Sequence, residues 1–153
     1  MKKNIKVGLI TSRGGHLLQL YYLKNWWAQY DRFWITGKGA DTDYLLKKET
    51  VYHGFFPENR NLFNAFRNFL LGFRIIMRNR PFLLVSVGAG IAPPIFLAGK
   101  ILGCHLVFID SYSFVEYPSL SAKLASLFVD KILVQHKSTV KKLKRAEYWG
   151  SIL

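Results

Sequence analysis

Apolar residues fall into short runs and helical stripes that alternate along the chain. Ile5 to Thr11 is a β-rich run, and Leu17, Leu18, Leu20, Tyr21, Leu23 and Trp27 then recur at helical spacing. Phe33 to Thr36 predicts a second strand, and Thr50 to His53 a third, with a short helix through Lys48 between them. A long helix is expected over Asn61 to Arg80. Phe82 to Ser86 and Leu106 to Ile109 suit strands buried on both faces of a parallel sheet. Between them Gly88-Ala89-Gly90 breaks the first run, and Pro93-Pro94 opens a helix where proline is tolerated. That helix runs to Leu102 and stops at Gly103. Ser119 or Ser121 caps a further helix ending near Phe128, and Lys131 to Gln135 reads as one more strand. This alternation predicts an α/β fold, a Rossmann-like and mainly parallel sheet. The uncharged stretch Pro81 to Gly99 raises the rival of a membrane span, against which two glycines, two prolines and the following Lys100 argue.

The long helix is amphipathic. At helical spacing Arg60, Arg67, Arg74 and Arg78 share a stripe of about 40°, flanked by Asn64 and Asn68. Leu62, Phe63, Phe66, Phe69, Leu70, Phe73, Ile76 and Met77 form a broad opposite face. Two readings stand: the apolar face packs on the sheet, or the helix lies in a membrane interface with its arginines on acidic headgroups. Leu71 and Ile75, on the basic side, leave the two compatible.

Composition narrows the class. The length of 153 residues predicts a single domain over 1–153, and 50% hydrophobic residues exclude general disorder. The 22 Lys and Arg against 9 Asp and Glu give a net charge of +13, which points to an anionic partner or surface. Cys104 is the single cysteine, so no intrachain disulfide forms, as suits a reducing cytosol; its place before a strand predicts an inert core thiol. Lys6 and Arg13 cut short the apolar run behind Met1-Lys2-Lys3, so no export signal is read.

Candidate chemistry collects at strand ends. Ser12-Arg13-Gly14-Gly15-His16 follows the first strand and opens a helix, a layout that cradles phosphate. Gly88 and Gly90 follow the fourth strand and Asp110-Ser111 the fifth, at the edge where open α/β sheets bind ligands. No dinucleotide fingerprint or P-loop is present, and the second strand ends in Thr36-Gly37-Lys38 rather than an acid, so nicotinamide is set aside. Asp41-Thr42-Asp43 reads as a helix cap, with Asp41 or Thr42 capping, and not as a metal cluster. His53 reads as a surface or loop residue. No metal or cofactor is expected. His136 to Arg145 is a basic segment read as a solvated helix face that adds to the positive field. Tyr148, Trp149, Ile152 and Leu153 then end the chain with an apolar cluster that either docks on a partner or packs back on the domain's own sheet.

The Gly-Gly-His turn, the Gly-Ala-Gly loop, Phe108-Ile109-Asp110-Ser111, Ser119 to Leu124, Val129-Asp130, Val134-Gln135 and Tyr148-Trp149-Gly150 occur in an order that spans nearly the whole chain. This set resembles the acceptor-side, membrane-associating subunit of split UDP-N-acetylglucosamine transferases acting on dolichol-linked oligosaccharide. It resembles the bacterial capsule and exopolysaccharide counterparts more closely. It is also similar to the N-terminal half of the transferase that makes the last lipid-linked peptidoglycan precursor. The resemblance implies the N-terminal half of a GT-B glycosyltransferase. A separate UDP-sugar-binding subunit would dock at the C-terminal end, and the acceptor would be a lipid-diphosphate-linked saccharide. It implies a peripheral protein at the cytoplasmic face of the membrane, held there by Arg60, Arg67, Arg74 and Arg78. Asp110 stands where the family carries glutamate, and Phe114 and Glu116 where it carries basic residues. The eukaryotic subunit's N-terminal membrane helix has no counterpart here, which favours the bacterial type.

On this reading His16 is a general base of suitable pKa, or else it only stabilises its turn. Asp110 orients His16 or the acceptor sugar, or else caps the following loop. Arg13, Gly14, Gly15, Gly88, Gly90 and Ser111 receive the acceptor and its diphosphate. Two other classes compete. A self-sufficient nucleotide-binding enzyme would lack the opposing wall that closes a cleft. A basic nucleic-acid-binding module fits the charge and aromatic content, but no recognition helix or RNA motif is present, and no nucleic-acid partner is expected.

Overall fold

The computed structural model describes residues 5–153; residues 1–4, where the absence of an export signal was read, lie outside the described residues. The elements in chain order are β1 (Lys6–Ile10), α1 (Gly15–Tyr22), α2 (Lys24–Trp27), β2 (Asp31–Thr36), α3 (Ala40–Leu45), β3 (Val51–His53) and α4 (Leu62–Asn79). They continue as β4 (Leu83–Val87), α5 (Ala92–Ile101), β5 (His105–Ile109), α6 (Leu120–Ala125), β6 (Lys131–Val134), α7 (Lys137–Val140) and β7 (Ala146–Tyr148).

The strands form one sheet in the order β3-β2-β1-β4-β5-β6-β7, every neighbouring pair parallel. The order reverses between β1 and β4. That junction is the topological switch point, where carboxyl-end loops on either side diverge and leave a crevice. Successive residues of each strand feed opposite faces. Phe33 and Ile35 join Leu84, Leu106, Phe108, Ile95 and Phe96 in one core. Trp34 joins Val7, Leu9, Leu17, Leu20 and Trp27 in the other. Cys104 is buried, its Sγ 3.3 Å from the Pro81 carbonyl, and burial pushes its thiol pKa up.

Helix α4 meets the expectation of an inward apolar face only in part: Ile76 is in the core and Phe69 and Phe73 pack against it, while the rest of that face turns outward. Asn61 caps it, accepting the Asn64 N–H at 2.9 Å. The buried side consists of Asn64, Asn68, Gly72, Ile75 and Ile76, while Phe63 is 70% and Phe66 61% exposed, and Leu62, Leu70 and Met77 are also exposed. The inward side must satisfy backbone and approach a neighbour closely. Asn68 accepts the Phe55 N–H at 2.8 Å and donates to the Phe55 carbonyl at 2.9 Å, and Asn64 donates to the Pro57 carbonyl. At Gly72 a Cβ would lie 3.2 Å from the Ile95 Cα, so glycine lets α4 and α5 meet. Each of the Phe55 and Pro57 backbone groups, if buried without its partner, would cost about 1–3 kcal/mol, which is what the inward amides prevent.

A further expectation is corrected. Neither Asp41 nor Thr42 caps its helix: Gly39 holds that position, Thr42 donates to the Gly37 carbonyl, and Asp41 turns to the neighbouring loop. The basic segment after β6 holds the single-turn α7 and exposes Lys137, Lys141, Lys142, Lys144 and Arg145, with Thr139 and Leu143 turned inward, and the chain then adds β7 at the sheet edge. Among the described residues no helix is long and apolar enough to cross a membrane.

Candidate active site at the switch point

The loops after β1, β4 and β5 converge at the carboxyl edge, bringing His16, Gly88, Gly90, Asp110 and Ser111 together. Gly88 has φ 53, a left-handed conformation, and a Cβ there would lie 2.6 Å from the Ser111 Cβ and 3.0 Å from the His16 Cε1 and Nδ1. Glycine therefore serves twice, by its backbone and by its lack of a side chain. His16 rides on the first turn of α1 against that backbone, and its Nδ1 is buried without a hydrogen-bond partner. Burial lowers the His16 pKa below the ordinary 6.5, opposed by the nearby charges of Glu58 and then Asp110. The imidazole is thus held neutral near physiological pH, the form that accepts a proton.

Asp110 is committed to its own loop. It accepts the Ser111 N–H at 3.0 Å, the Ser119 N–H at 3.1 Å and the Ser119 hydroxyl at 2.7 Å. The same Ser119 Oγ accepts the Ala122 N–H and caps α6. Burial pushes Asp110 up despite the Ser119 and Ser111 hydrogen bonds that favour its ionised form, as His16 also does when protonated. Asp110 thus ties β5 to α6 and faces His16 as a charge, without a hydrogen bond to it.

Three participants carried no site role in the sequence reading, although Gln135 lies in one of its motifs. Glu58, in the loop before α4, accepts the Ser12 hydroxyl at 2.5 Å and lies against Gly90. Gln19 donates to the Ser111 hydroxyl at 3.1 Å and accepts the Tyr112 N–H at 3.0 Å. Gln135 donates to the Gln19 Oε1 and the Asp110 carbonyl, both at 2.9 Å. Two signals were available. Gln19 shares a helix face with His16 among leucines, and Glu58 is one of 9 acids in a chain of 22 bases.

Arg13 and Gly14 are placed at the edge but engaged. Asp41 accepts the Gly14 N–H at 2.8 Å and the Arg13 Nε–H at 3.1 Å. Although burial pushes Asp41 up, the Gly14 and Thr42 N–H groups and Arg13 hold it below the usual carboxylate range. A carboxylate already sits on the first anion-binding donor of the turn. Gly15 begins α1 beside it, exposed.

At the outer edge of the sheet Tyr148 closes β7, and Trp149 is 69% exposed with its Nε1–H on Glu147. Ile152 turns back onto the core, its N–H donating to Gln135 Oε1 at 2.9 Å, while Leu153 is exposed. Arg60 has φ 51 and stands before α4, and Arg67, Arg74 and Arg78 are exposed along it.

Comparison with known proteins sets this edge in context. The seven-stranded parallel fold matches the MurG structure of Acinetobacter baumannii with a TM-score of 0.78 at 14% identity, over 94% of this chain and 45% of that one. A UDP-N-acetylglucosamine 2-epimerase from Rickettsia bellii matches with a TM-score of 0.75 at 8% identity, over 98% and 46%. At these identities the likeness is one of fold. The UDP-N-acetylglucosamine transferase subunit alg14 of Schizosaccharomyces pombe is 36% identical over 98 residues, 59% of this chain and 47% of its own. The corresponding mouse subunit, ALG14, is 27% identical over 99 residues, 61% and 46%. The chain spans about half the length of these curated relatives. The family model described as oligosaccharide biosynthesis protein Alg14 like matches residues 57–152, a span holding Glu58, Gly88, Asp110 and Gln135, and the chain belongs to that family.

Proposed function

We propose that this chain is the acceptor-side subunit of a two-component glycosyltransferase that moves a sugar from a UDP-sugar to a lipid-diphosphate-linked saccharide. The observation that carries this reading is His16, held neutral against Gly88 at the switch point of a fold that is half of a two-lobed enzyme's. The acceptor hydroxyl gives its proton to the His16 imidazole as its oxygen forms a bond to the anomeric carbon. The bond from that carbon to UDP breaks, and UDP leaves with the electron pair. Asp110 and Glu58 favour the imidazolium so formed. The donor is held by a second, UDP-sugar-binding subunit that docks on Tyr148, Trp149 and Leu153. The capsule or exopolysaccharide setting rests on the ordered motifs read from the sequence.

The outward face of α4 supports attachment to the cytoplasmic surface of the membrane as a peripheral protein. Phe63, Phe66, Leu70 and Met77 are exposed together, beside Arg67, Arg74 and Arg78. An amphipathic surface of this kind partitions into a headgroup layer and draws anionic lipid. The whole proposal is tested by co-expressing the chain with a small UDP-binding partner and assaying transfer to a lipid-diphosphate-linked acceptor. Transfer by the pair is expected. A pair that co-purifies yet transfers no sugar from any UDP-sugar overturns the enzymatic reading.

A further inference from the structure

Beside the glycine loop lies a groove of about 450 Å³, in the size class of small-molecule sites, roughly 300–1,000 Å³. Its walls are apolar and come from three helices and a loop: Leu62 of α4, Pro93 and Pro94 of α5, Phe114 after β5, and Leu120 and Leu124 of α6. Leu62 is 89% and Leu120 63% exposed, so this chain leaves those walls in water. The inner end is polar. Gly90 and Glu58 stand there, and the Glu58 carboxylate accepts the Ser12 hydroxyl and faces His16.

The same groove carries one arginine. Arg60 lines it, and its backbone adopts φ 51, a left-handed conformation uncommon for arginine and costly to hold. Among the described residues no carboxylate pairs with it. Arg13, the other arginine of this edge, is held by Asp41. A cation beside an apolar trough, next to the candidate base, is complementary to an amphiphile with an anionic head and a hydrocarbon tail.

We propose that this groove receives the first units of the acceptor's hydrocarbon chain, with Arg60 on its diphosphate; the proposal rests on the lipid-acceptor reading above. Leu62 joins the groove to the exposed Phe63 and Phe66 of α4. The exposed apolar face of α4 is therefore continuous in sequence with the groove's apolar wall at Leu62, on the side where a tail would enter. The diphosphate belongs at the Arg60 side because Glu58 would repel it at the inner end. The sugar then reaches past Gly90 to His16.

The full chain is labelled with a photoreactive farnesyl diphosphate analogue and the labelled peptides are mapped. Label is expected on Pro93-Pro94 and on the Phe114 to Leu124 segment. Farnesyl diphosphate should displace it at concentrations at least roughly tenfold below those needed of farnesol or inorganic diphosphate, since head and tail bind together. Leu120→Gln and Leu124→Gln change exposed side chains and should weaken farnesyl diphosphate binding by about tenfold while folding is kept. Arg60→Asn keeps a residue that tolerates the left-handed turn. It should abolish the advantage of farnesyl diphosphate over farnesol. Label confined to the outer face of α4, or binding unchanged in both leucine variants, overturns the groove assignment. Sugar transfer by the wild-type pair is measured separately, so a failed groove with intact transfer leaves the glycosyltransferase reading standing.

Discussion

Burial removes water from the His16 imidazole faster than Glu58 and Asp110 restore its charged form, so the folded chain keeps it neutral to a lower pH than a free histidine. Two outcomes follow at the scale of this residue. The acid limb of kcat/KM for the pair should lie below pH 6.5, and Glu58→Gln, which removes the larger of the two favourable charges, should move it lower still. A limb that stays fixed in the Glu58 variant would show that the carboxylate does not act on His16. The same depression carries a stability consequence. Between the lowered folded pKa and 6.5 the unfolded chain binds more protons, so stability rises with pH in that window and falls as pH drops through it. His16→Ala should cut transfer roughly 10²-fold or more, the ordinary contribution of a general base. Full activity in that variant would return His16 to a structural role in its turn. Asp110 belongs to a different category. With all its hydrogen bonds spent on Ser111 and Ser119, Ser119→Ala should cost about 1–2 kcal/mol in denaturant unfolding, from a lost cap and a buried carboxylate short of a donor.

Helix α4 divides its labour between two faces, and variants on them should separate stability from location. Asn68→Ala leaves the Phe55 N–H and carbonyl buried without their partner and should destabilise by about 1–3 kcal/mol. Phe66→Ser changes an outward side chain and should leave unfolding within about 0.5 kcal/mol of wild type. On vesicles the ranking inverts. The purified chain should bind anionic vesicles and release as salt rises, each basic residue near the surface contributing about 1 kcal/mol that salt screens. Phe66→Ser should weaken that binding. Equal binding to neutral and anionic vesicles, unmoved by salt, would take Arg67, Arg74 and Arg78 out of the membrane contact.

The end of the chain serves the molecule as a whole. Removing Tyr148 to Leu153 would shorten β7 and withdraw Ile152 from the core and from Gln135, which in turn holds Gln19 and the Asp110 carbonyl. Such a deletion mixes folding with docking. The exposed pair Trp149 and Leu153 is the cleaner probe. Trp149→Ala with Leu153→Asp should abolish co-purification with the UDP-sugar-binding subunit while the melting temperature stays within a few degrees. Full pull-down by that double variant would place docking elsewhere on the sheet edge.

What the sequence determined by itself was whatever depends on neighbours along the chain. Strand runs, the Pro93-Pro94 helix start, the Gly103 stop, the Ser119 cap and the clustering of Gly14, Gly88 and Asp110 at strand ends are local signals, and the parallel sheet follows from their alternation. Tertiary structure decided what depends on residues far apart. Hydrophobicity alone placed Ile76, Phe69 and Phe73 against the core but not Asn64 and Asn68, whose inward place was set by the Phe55 and Pro57 backbone and by the close approach of α5 at Gly72. Asp41 became the partner of Arg13 and Gly14 across 28 and 27 positions, and Gln19 met Gln135 across 116. Glu58 reached Ser12 and His16 across the switch point in the same way. A polar side chain has several donors and acceptors of equal worth within reach of an unfolded chain, and only the packed sheet selects one.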